Sequence, residues 1–164
     1  LRVIRGDDAA REWLEAFAAQ DPVAYENNIA VRDAVDAGEV SVGLVNHYYL
    51  YELIEEVGAD SVVARNQFIG GGDPGGLINV AGVGILESTE LADESLEFVE
   101  YLLGPEGQAY FASETFEYPV AIGAEADAAL PALDTLDPPR VDLSDLDSLE
   151  QTQELLADTG LLTK

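Results

Sequence analysis

Short apolar runs that alternate with helical patterns constrain the fold of this chain more than any other feature of its sequence. The two clearest runs are residues 42–45 (VGLV) and 77–86 (LINVAGVGIL), and residues 61–68 form a third, weaker one. Apolar runs of this length, bounded by turn residues, are typical of buried strands. Because strands that alternate with helices form parallel or mixed sheets, the sequence predicts an α/β fold.

Apolar residues at helical spacing predict six helices between and beyond these runs. The predicted helices cover about residues 8–19, 28–37, 49–57, 89–103, 105–113 and 149–158. In the first, apolar residues recur at i, i+3, i+4 and i+7 from Ala10, which places Trp13 in the predicted core. Gly38 and Gly58 follow the second and third helices, at the position where glycine commonly ends a helix.

The charge balance restricts the partners of the chain. Thirty-three acidic residues against seven basic ones give a formal net charge of −26. Such a surface repels nucleic acid and anionic membranes, so no nucleic-acid partner is expected. A heavily hydrated acidic surface, as in proteins adapted to high salt, explains this charge without any ligand. No apolar run approaches the roughly 18 residues that a membrane span requires.

The residue types that are absent argue against an enzyme. The chain has no cysteine and no methionine, and His47 is its single histidine. This excludes disulfides, thiol nucleophiles and cysteine-ligated metals within the chain, and the single histidine argues against a Ser-His-Asp site. Asp142, Asp145 and Asp147 lack the spacing of a calcium-binding EF-hand, so they are predicted to form a solvated loop.

Tyr48 and Tyr49 follow His47 at the predicted junction between a strand and a helix. Adjacent side chains of a strand point to opposite faces, but a turn can bring them together. The helix start adds free backbone N–H groups that favour an anion. A hard trivalent cation, of which ferric iron is the main biological example, displaces the proton of a phenol that coordinates it. From the residues alone, the alternative that both tyrosines simply begin a helix stays open.

The tyrosine pair lies in a segment that resembles a known protein family. NHYYLYEL (residues 46–53), the preceding AGEV (37–40) and the helix start at Asn27-Asn28 resemble the ferric-iron-binding proteins of bacterial and archaeal ABC importers. These proteins have the type II periplasmic-binding-protein fold. Further similar segments follow in order: GGGDPGGLINVAGVGIL, FVEYLLGPEGQAYF, FEYPV and LLADTGLL. Together they cover almost the whole chain and correspond to the C-terminal half of such a protein.

The resemblance implies a domain organisation. The expected architecture is a three-layer α/β/α lobe with a mixed sheet, plus a segment of the other lobe. Residues 1–77 would belong to the second lobe and carry the tyrosine pair, residues 78–122 would cross back to the first lobe, and residues 123–164 would pack across both. The N-terminal half, with the remaining metal ligands, is expected to be absent from this chain.

The resemblance also implies a site. Tyr48 and Tyr49 match the two tyrosines that ligate Fe(3+) in the family. Asn28 and Asn46 are expected to hold a synergistic anion, either phosphate or carbonate. A short amide at a helix start would equally explain Asn28 as an N-cap. His47 is expected to lie near the metal rather than on it.

The function implied by the resemblance is transport rather than catalysis. The protein would carry ferric iron to the permease of an ABC importer and would perform no reaction. It would be a monomer in the periplasm, or tethered to the cell surface as a lipoprotein. Two alternatives stay open: the same fold binding another metal or an oxyanion, and an interaction domain without a small ligand.

Overall fold

The computed structural model describes residues 1–146 and 148–162, and within them the regular structure is helical. The helices are α1 (Arg2–Arg5), α2 (Asp7–Ala18), α3 (Asn28–Asp36), α4 (Tyr48–Val57), α5 (Ala92–Leu103), α6 (Pro105–Ser113) and α7 (Leu149–Asp158). Short 3₁₀ turns lie at Ala59–Ser61, Pro74–Gly76, Leu133–Thr135 and Leu143–Asp145. The predicted helices are therefore confirmed as α2 to α7, whereas the short α1 was not predicted.

Glycines end α3 and α4 as predicted. Gly38 adopts a φ of 75° and Gly58 a φ of 85°, values that an L side chain rarely tolerates. After α3, the N–H of Gly38 donates to the carbonyl of Val35 at 3.0 Å, and the N–H of Glu39 donates to the carbonyl of Ala34 at 2.9 Å. This pair of bonds closes the helix in a Schellman arrangement, which satisfies two carbonyls that the helix itself leaves open.

The predicted sheet is not found among the described residues, none of which is assigned to a strand. Residues 62–67 keep the period-two alternation of a strand, since Val62 is 3% exposed and the next residue, Val63, is 76% exposed. In the run at 42–45, Val42 and Leu44 are also exposed. A strand forms only where its backbone pairs with a neighbour, and these runs do not pair with one another in the described part of the chain.

The chain divides into two compact units, each built from separate segments. Unit 1 contains Leu1–Glu26, Phe68–Asn79 and the chain from Asp137 onward, and unit 2 contains Asn27–Gln67 and Val80–Leu136. The assignment of residues 1–77, 78–122 and 123–164 to lobes stays a prediction.

In unit 1, Arg2 joins the N-terminal helices to α7. Its guanidinium pairs with Asp7 at 2.8 Å and donates to the Thr152 hydroxyl at 3.0 Å and the Ser148 carbonyl at 3.1 Å. Small and apolar side chains form the core of this unit, where Ala10 is 1% exposed and Leu155 is 6% exposed. One cation thus fixes two segments that are far apart in the sequence.

The prediction that Trp13 is a core residue is wrong. Its side chain is 49% exposed and stacks on Phe17, with 5.3 Å between the ring centroids. Trp13 lines an open, mainly apolar groove of about 340 Å³ together with Leu14, Leu149 and other residues. Trp13 does lie on the apolar face of α2, as the helical spacing predicts. Within the described residues, however, Ala10 is the only member of that face that is buried.

The acidic loop of unit 1 is exposed where it is described. Asp142 accepts the N–H of Ser144 at 2.9 Å and so caps the turn at Leu143–Asp145. Asp145 is exposed, and Asp147 lies outside the described residues. Among residues 1–146 and 148–162, no helix has the length and apolar character needed to cross a membrane.

In unit 2, a glycine brings the run before the tyrosines against α3. A Cβ at Gly43 would lie 2.6 Å from Cγ1 of Val31 and 2.9 Å from Cγ2 of Val35. Both valines are β-branched and stiff, so they could not easily move aside. The absence of a side chain at Gly43 therefore lets this segment pass α3 closely and sets Asn46 and the start of α4 beside it.

Asp36 attaches the run at 62–67 to the end of α3. Its carboxylate accepts the N–H of Val63 at 2.7 Å and that of Ala64 at 2.9 Å. These two backbone hydrogen bonds, helped by the nearby charges of Arg32 and Arg65, lower the pKa of Asp36 below its ordinary value. The ionised form is thus preferred in the folded unit.

Replacing Asp36 by asparagine should destabilise the protein at neutral pH and have a smaller effect in acid. A lowered folded pKa stabilises the fold above the unfolded pKa of about 3.9, and this contribution is lost as the pH falls through the lower folded value. Urea unfolding of wild type and Asp36→Asn at pH 7 and near pH 2.5 would measure this, with Asp60→Asn, a change of an exposed aspartate, as control. A difference in stability that does not change with pH would contradict this role of Asp36.

Candidate metal centre

The two tyrosines lie side by side in the first turn of α4. The ring centroids of Tyr48 and Tyr49 are 4.6 Å apart, with 43° between the ring planes. Both side chains are half-buried, and no side chain caps the start of the helix. The turn from the preceding segment into α4 thus brings together two phenols that a continuous strand would have separated.

Each phenolic oxygen receives a hydrogen bond from an asparagine amide. Nδ2 of Asn46 donates to the hydroxyl oxygen of Tyr48 at 2.9 Å, and Nδ2 of Asn28 donates to that of Tyr49 at 3.3 Å. The N-cap of α3 is Asn27, whose side chain accepts the N–H of Ala30 at 2.9 Å. The alternative of Asn28 as an N-cap is therefore wrong, and its side chain serves the tyrosine instead.

The surroundings of Tyr48 favour the neutral phenol. Burial is the main cause that raises the pKa of Tyr48, and the hydrogen bond with Tyr49 and the charge of Glu117 raise it further. The amide of Asn46 acts in the opposite direction, because a donated hydrogen bond stabilises the phenolate. Without a cation, Tyr48 therefore keeps its proton at neutral pH.

His47 packs beside the pair and bonds to the backbone. Its Nε2–H donates to the carbonyl of Phe116 at 2.8 Å, a carbonyl being able only to accept. Its ring centroid lies 5.6 Å from that of Tyr48 and 5.5 Å from that of Tyr118. Nδ2 of Asn66 donates to the His47 carbonyl at 2.8 Å, which ties the start of α4 to the run at 62–67.

The FEYPV segment, residues 116–120, supplies the wall behind His47. Phe116 is 7% exposed and has a φ of 53°, a left-handed conformation that is uncommon for a bulky side chain. This backbone turn presents the Phe116 carbonyl to His47. The hydroxyl of Tyr118 donates to the carbonyl of Pro131 at 2.6 Å, and burial raises the pKa of Tyr118. Tyr118 thus acts as a packed neutral side chain.

Several residues near the pair were not predicted from the sequence: Arg32, Asn66, Phe116 and Tyr118. Nη1 of Arg32 donates to the backbone carbonyl of Tyr49 at 3.1 Å. A signal for Arg32 was present, because it lies four residues after Asn28 and so on the same face of a helix. The other three approach the pair from segments that are distant in the sequence.

The described residues contain no group of three or more acidic or histidine side chains that could hold a metal by themselves. What unit 2 offers is a pair of phenolic oxygens with two amide donors next to them. Phenolates are hard oxygen ligands, and the amides can donate either to a phenolate or to a bound anion. The arrangement can thus contribute part of a coordination sphere for a hard cation.

Comparison with known proteins places the chain in a family of binding proteins. The family model of the bacterial extracellular solute-binding proteins matches residues 4–147, and the chain belongs to this family. This confirms the family resemblance inferred from the sequence.

Within that family, the relatives are proteins named for iron. The chain is 32% identical over 163 residues to the Fe(3+)-binding periplasmic protein of Serratia marcescens, covering 99% of this chain and 48% of the relative. It is 30% identical over 158 residues to the major ferric iron-binding protein of Neisseria meningitidis, covering 96% and 47%. It also shares the fold of iron-bound HitA from Pseudomonas aeruginosa, with a TM-score of 0.91 and 36% identity over 98% of this chain and 51% of that one. The chain spans about half the length of the curated relatives it matches.

Proposed function

We propose that this chain forms part of an extracytoplasmic solute-binding protein that binds ferric iron and delivers it to an ABC permease. One observation carries the proposal: the phenolic oxygens of Tyr48 and Tyr49 lie next to each other, and each receives an amide hydrogen bond. The printed names of the relatives, ferric iron-binding proteins, support iron as the cargo. As a carrier, the protein performs no catalysis.

In the proposed site, Tyr48 and Tyr49 bind Fe(3+) as phenolates. A hard trivalent ion favours anionic oxygen ligands and displaces the phenol protons. Two phenolates fill only part of a six-coordinate sphere, and an anion together with ligands from protein outside these 164 residues would complete it. In the intact protein the ion would be enclosed by two lobes that close around it, a hinge motion common in binding proteins.

Asn28 and Asn46 are proposed to hold a synergistic anion, phosphate or carbonate, beside the iron. Their amide N–H groups already point at the phenolic oxygens, and the uncapped start of α4 adds backbone N–H groups and a positive dipole end. His47 serves as a neighbour that orients the pair, because its Nε2–H is bonded to Phe116. It is not proposed as a ligand.

The finer architecture of the family is also proposed for this chain. The apolar runs at 42–45, 61–68 and 77–86 would become strands of a mixed sheet in a three-layer α/β/α lobe, paired with strands from outside the chain. Residues 1–77 would belong to the second lobe, residues 78–122 would cross back to the first, and residues 123–164 would pack across both. The exposed apolar side chains of Val42 and Leu44 are consistent with a run that further structure would cover, since sheets of this kind bury both faces. The intact protein would be monomeric and lie in the periplasm or be tethered to the cell surface.

The function is tested by measuring ligand-dependent stability of the full-length protein. The protein is stripped of metal and its thermal unfolding is followed with ferric nitrilotriacetate, with a zinc salt, and with phosphate alone. Fe(3+) should stabilise it by about 4 kcal/mol when the free ligand exceeds the Kd a thousandfold. Stabilisation by zinc or by phosphate alone would favour the same fold with another ligand. No response to any of the three would favour an interaction domain.

A further inference from the structure

Arg32 is a largely buried cation beside the tyrosine pair in unit 2. Its side chain is only 11% exposed, in a chain with seven basic residues in all. Arginine side chains are seldom buried unless their charge is paired. The charge of Arg32 is paired with the carboxylate of Asp33, whose Oδ1 lies 2.8 Å from Nε and 2.7 Å from Nη2 of Arg32. The remaining nitrogen, Nη1, donates to the backbone carbonyl of Tyr49 at 3.1 Å.

Two side chains from one face of α3 reach the same tyrosine. Asn28 and Arg32 are four residues apart, so they are neighbours on the helix surface. Nδ2 of Asn28 donates to the phenolic oxygen of Tyr49, and the Arg32 guanidinium donates to its backbone carbonyl. α3 therefore holds Tyr49 at both ends, at the reactive oxygen and at the main chain.

This double contact ties the first turn of α4 to α3. The first turn of a helix lacks internal partners for its N–H groups and frays easily, and no side chain caps α4. The planar guanidinium offers donors in fixed directions, so it can bond Asp33 and Tyr49 at the same time.

We propose that Arg32 is a positioning residue for the metal centre, which holds Tyr49 in the orientation from which its phenolate binds the cation. The proposal rests on the proposed function, because it assigns Arg32 a role in that same site. Arg32 does not touch the metal; it acts through the main chain of Tyr49. Asp33 orients the guanidinium and so takes part indirectly.

The test compares full-length variants loaded with Fe(3+). Two quantities are measured: the position and intensity of the tyrosinate-to-iron absorption band per bound iron, and the rate at which iron passes to a competing chelator. The variants are Arg32→Gln, Arg32→Lys and Asp33→Asn. The matched control is Arg65→Gln, which removes the same charge from the same unit, since Arg65 donates to the carbonyls of Val62 and Ala64 and not to the pair.

Arg32→Gln should shift or weaken the band and release iron about tenfold faster, as expected for the loss of one hydrogen bond from a charged donor. Arg32→Lys should restore part of the wild-type band and release rate, because lysine keeps the positive charge but lacks the planar donor geometry of the guanidinium. Asp33→Asn should produce a smaller change in the same direction, and Arg65→Gln should resemble wild type.

An Arg32→Gln protein with the same band and release rate as Arg65→Gln would overturn the proposal. If Arg32→Gln does not fold, as judged by thermal unfolding without iron, Arg32→Lys and Asp33→Asn decide: an unchanged band and rate in both overturns the role of Arg32. A wild-type protein that binds no iron would instead overturn the proposed function itself.

Discussion

Replacing Tyr48 and Tyr49 together by phenylalanine should abolish ferric-iron binding and leave the fold intact. Phenylalanine keeps the ring that packs beside His47 but has no oxygen to offer the metal. Changes to groups that only support a metal ligand typically cost 10- to 100-fold in affinity. Loss of a ligand should cost more, so each single variant should bind at least about a hundredfold more weakly than wild type.

Iron retained after gel filtration, together with the competition of a chelator of known affinity, would measure this loss. Tyr51→Phe is the matched control, because it removes a hydroxyl from the same helix. The Tyr51 ring packs against Phe116 at 5.7 Å, and its hydroxyl is not assigned to the site. Tyr51→Phe should bind like wild type, whereas full iron retention by Tyr48→Phe/Tyr49→Phe would place the metal elsewhere.

Iron binding should also become steeply weaker as the pH falls. The pKa of Tyr48 is raised, chiefly by burial, so the metal-free protein holds that phenol in its neutral form. Each phenol that becomes a ligand releases a proton. With two such ligands, the apparent affinity should rise about a hundredfold for each unit of pH, over a range well below the ordinary phenol pKa of about 10.

The slope is measured by competition with a chelator whose own protonation is known, between about pH 5 and pH 8. After subtraction of the chelator's protons, the logarithm of the affinity should rise with a slope close to two. Tyr49→Phe, measured at protein concentrations high enough to retain iron, should lower the slope towards one. A wild-type slope near zero would mean that the ligands release no proton on binding iron, and it would contradict coordination by the two tyrosines.

The helices could be predicted from the sequence because their signals are local. The apolar period identified α2 and α3, and the glycines at 38 and 58 identified where α3 and α4 end. The sheet could not be predicted within this chain in the same way, because a strand depends on its partner. The runs at 42–45 and 62–67 have strand-like sequences, yet the described residues supply no neighbour for them. For the same reason, the apolar face of α2 did not guarantee that Trp13 would be buried.

The candidate site was predictable where its residues form a continuous motif. Tyr48, Tyr49 and Asn46 lie within four residues of one another, and the resemblance to a family pointed to all three. The residues that orient them come from elsewhere: Asn66 and Phe116 bond to His47 from 19 and 69 residues away. Such contacts depend on the tertiary fold, and no local pattern encodes them. Arg32 lies between these cases, since helical spacing related it to Asn28 but not to Tyr49.

The most direct test of the account is the visible absorption and resonance Raman spectrum of the full-length protein loaded with Fe(3+). Wild type should show a tyrosinate-to-iron charge-transfer band with enhanced phenolate ring vibrations, and Tyr48→Phe/Tyr49→Phe should lose both. A wild-type protein that remains colourless and retains no iron, or one that retains iron without phenolate vibrations, would contradict iron binding by the two tyrosines.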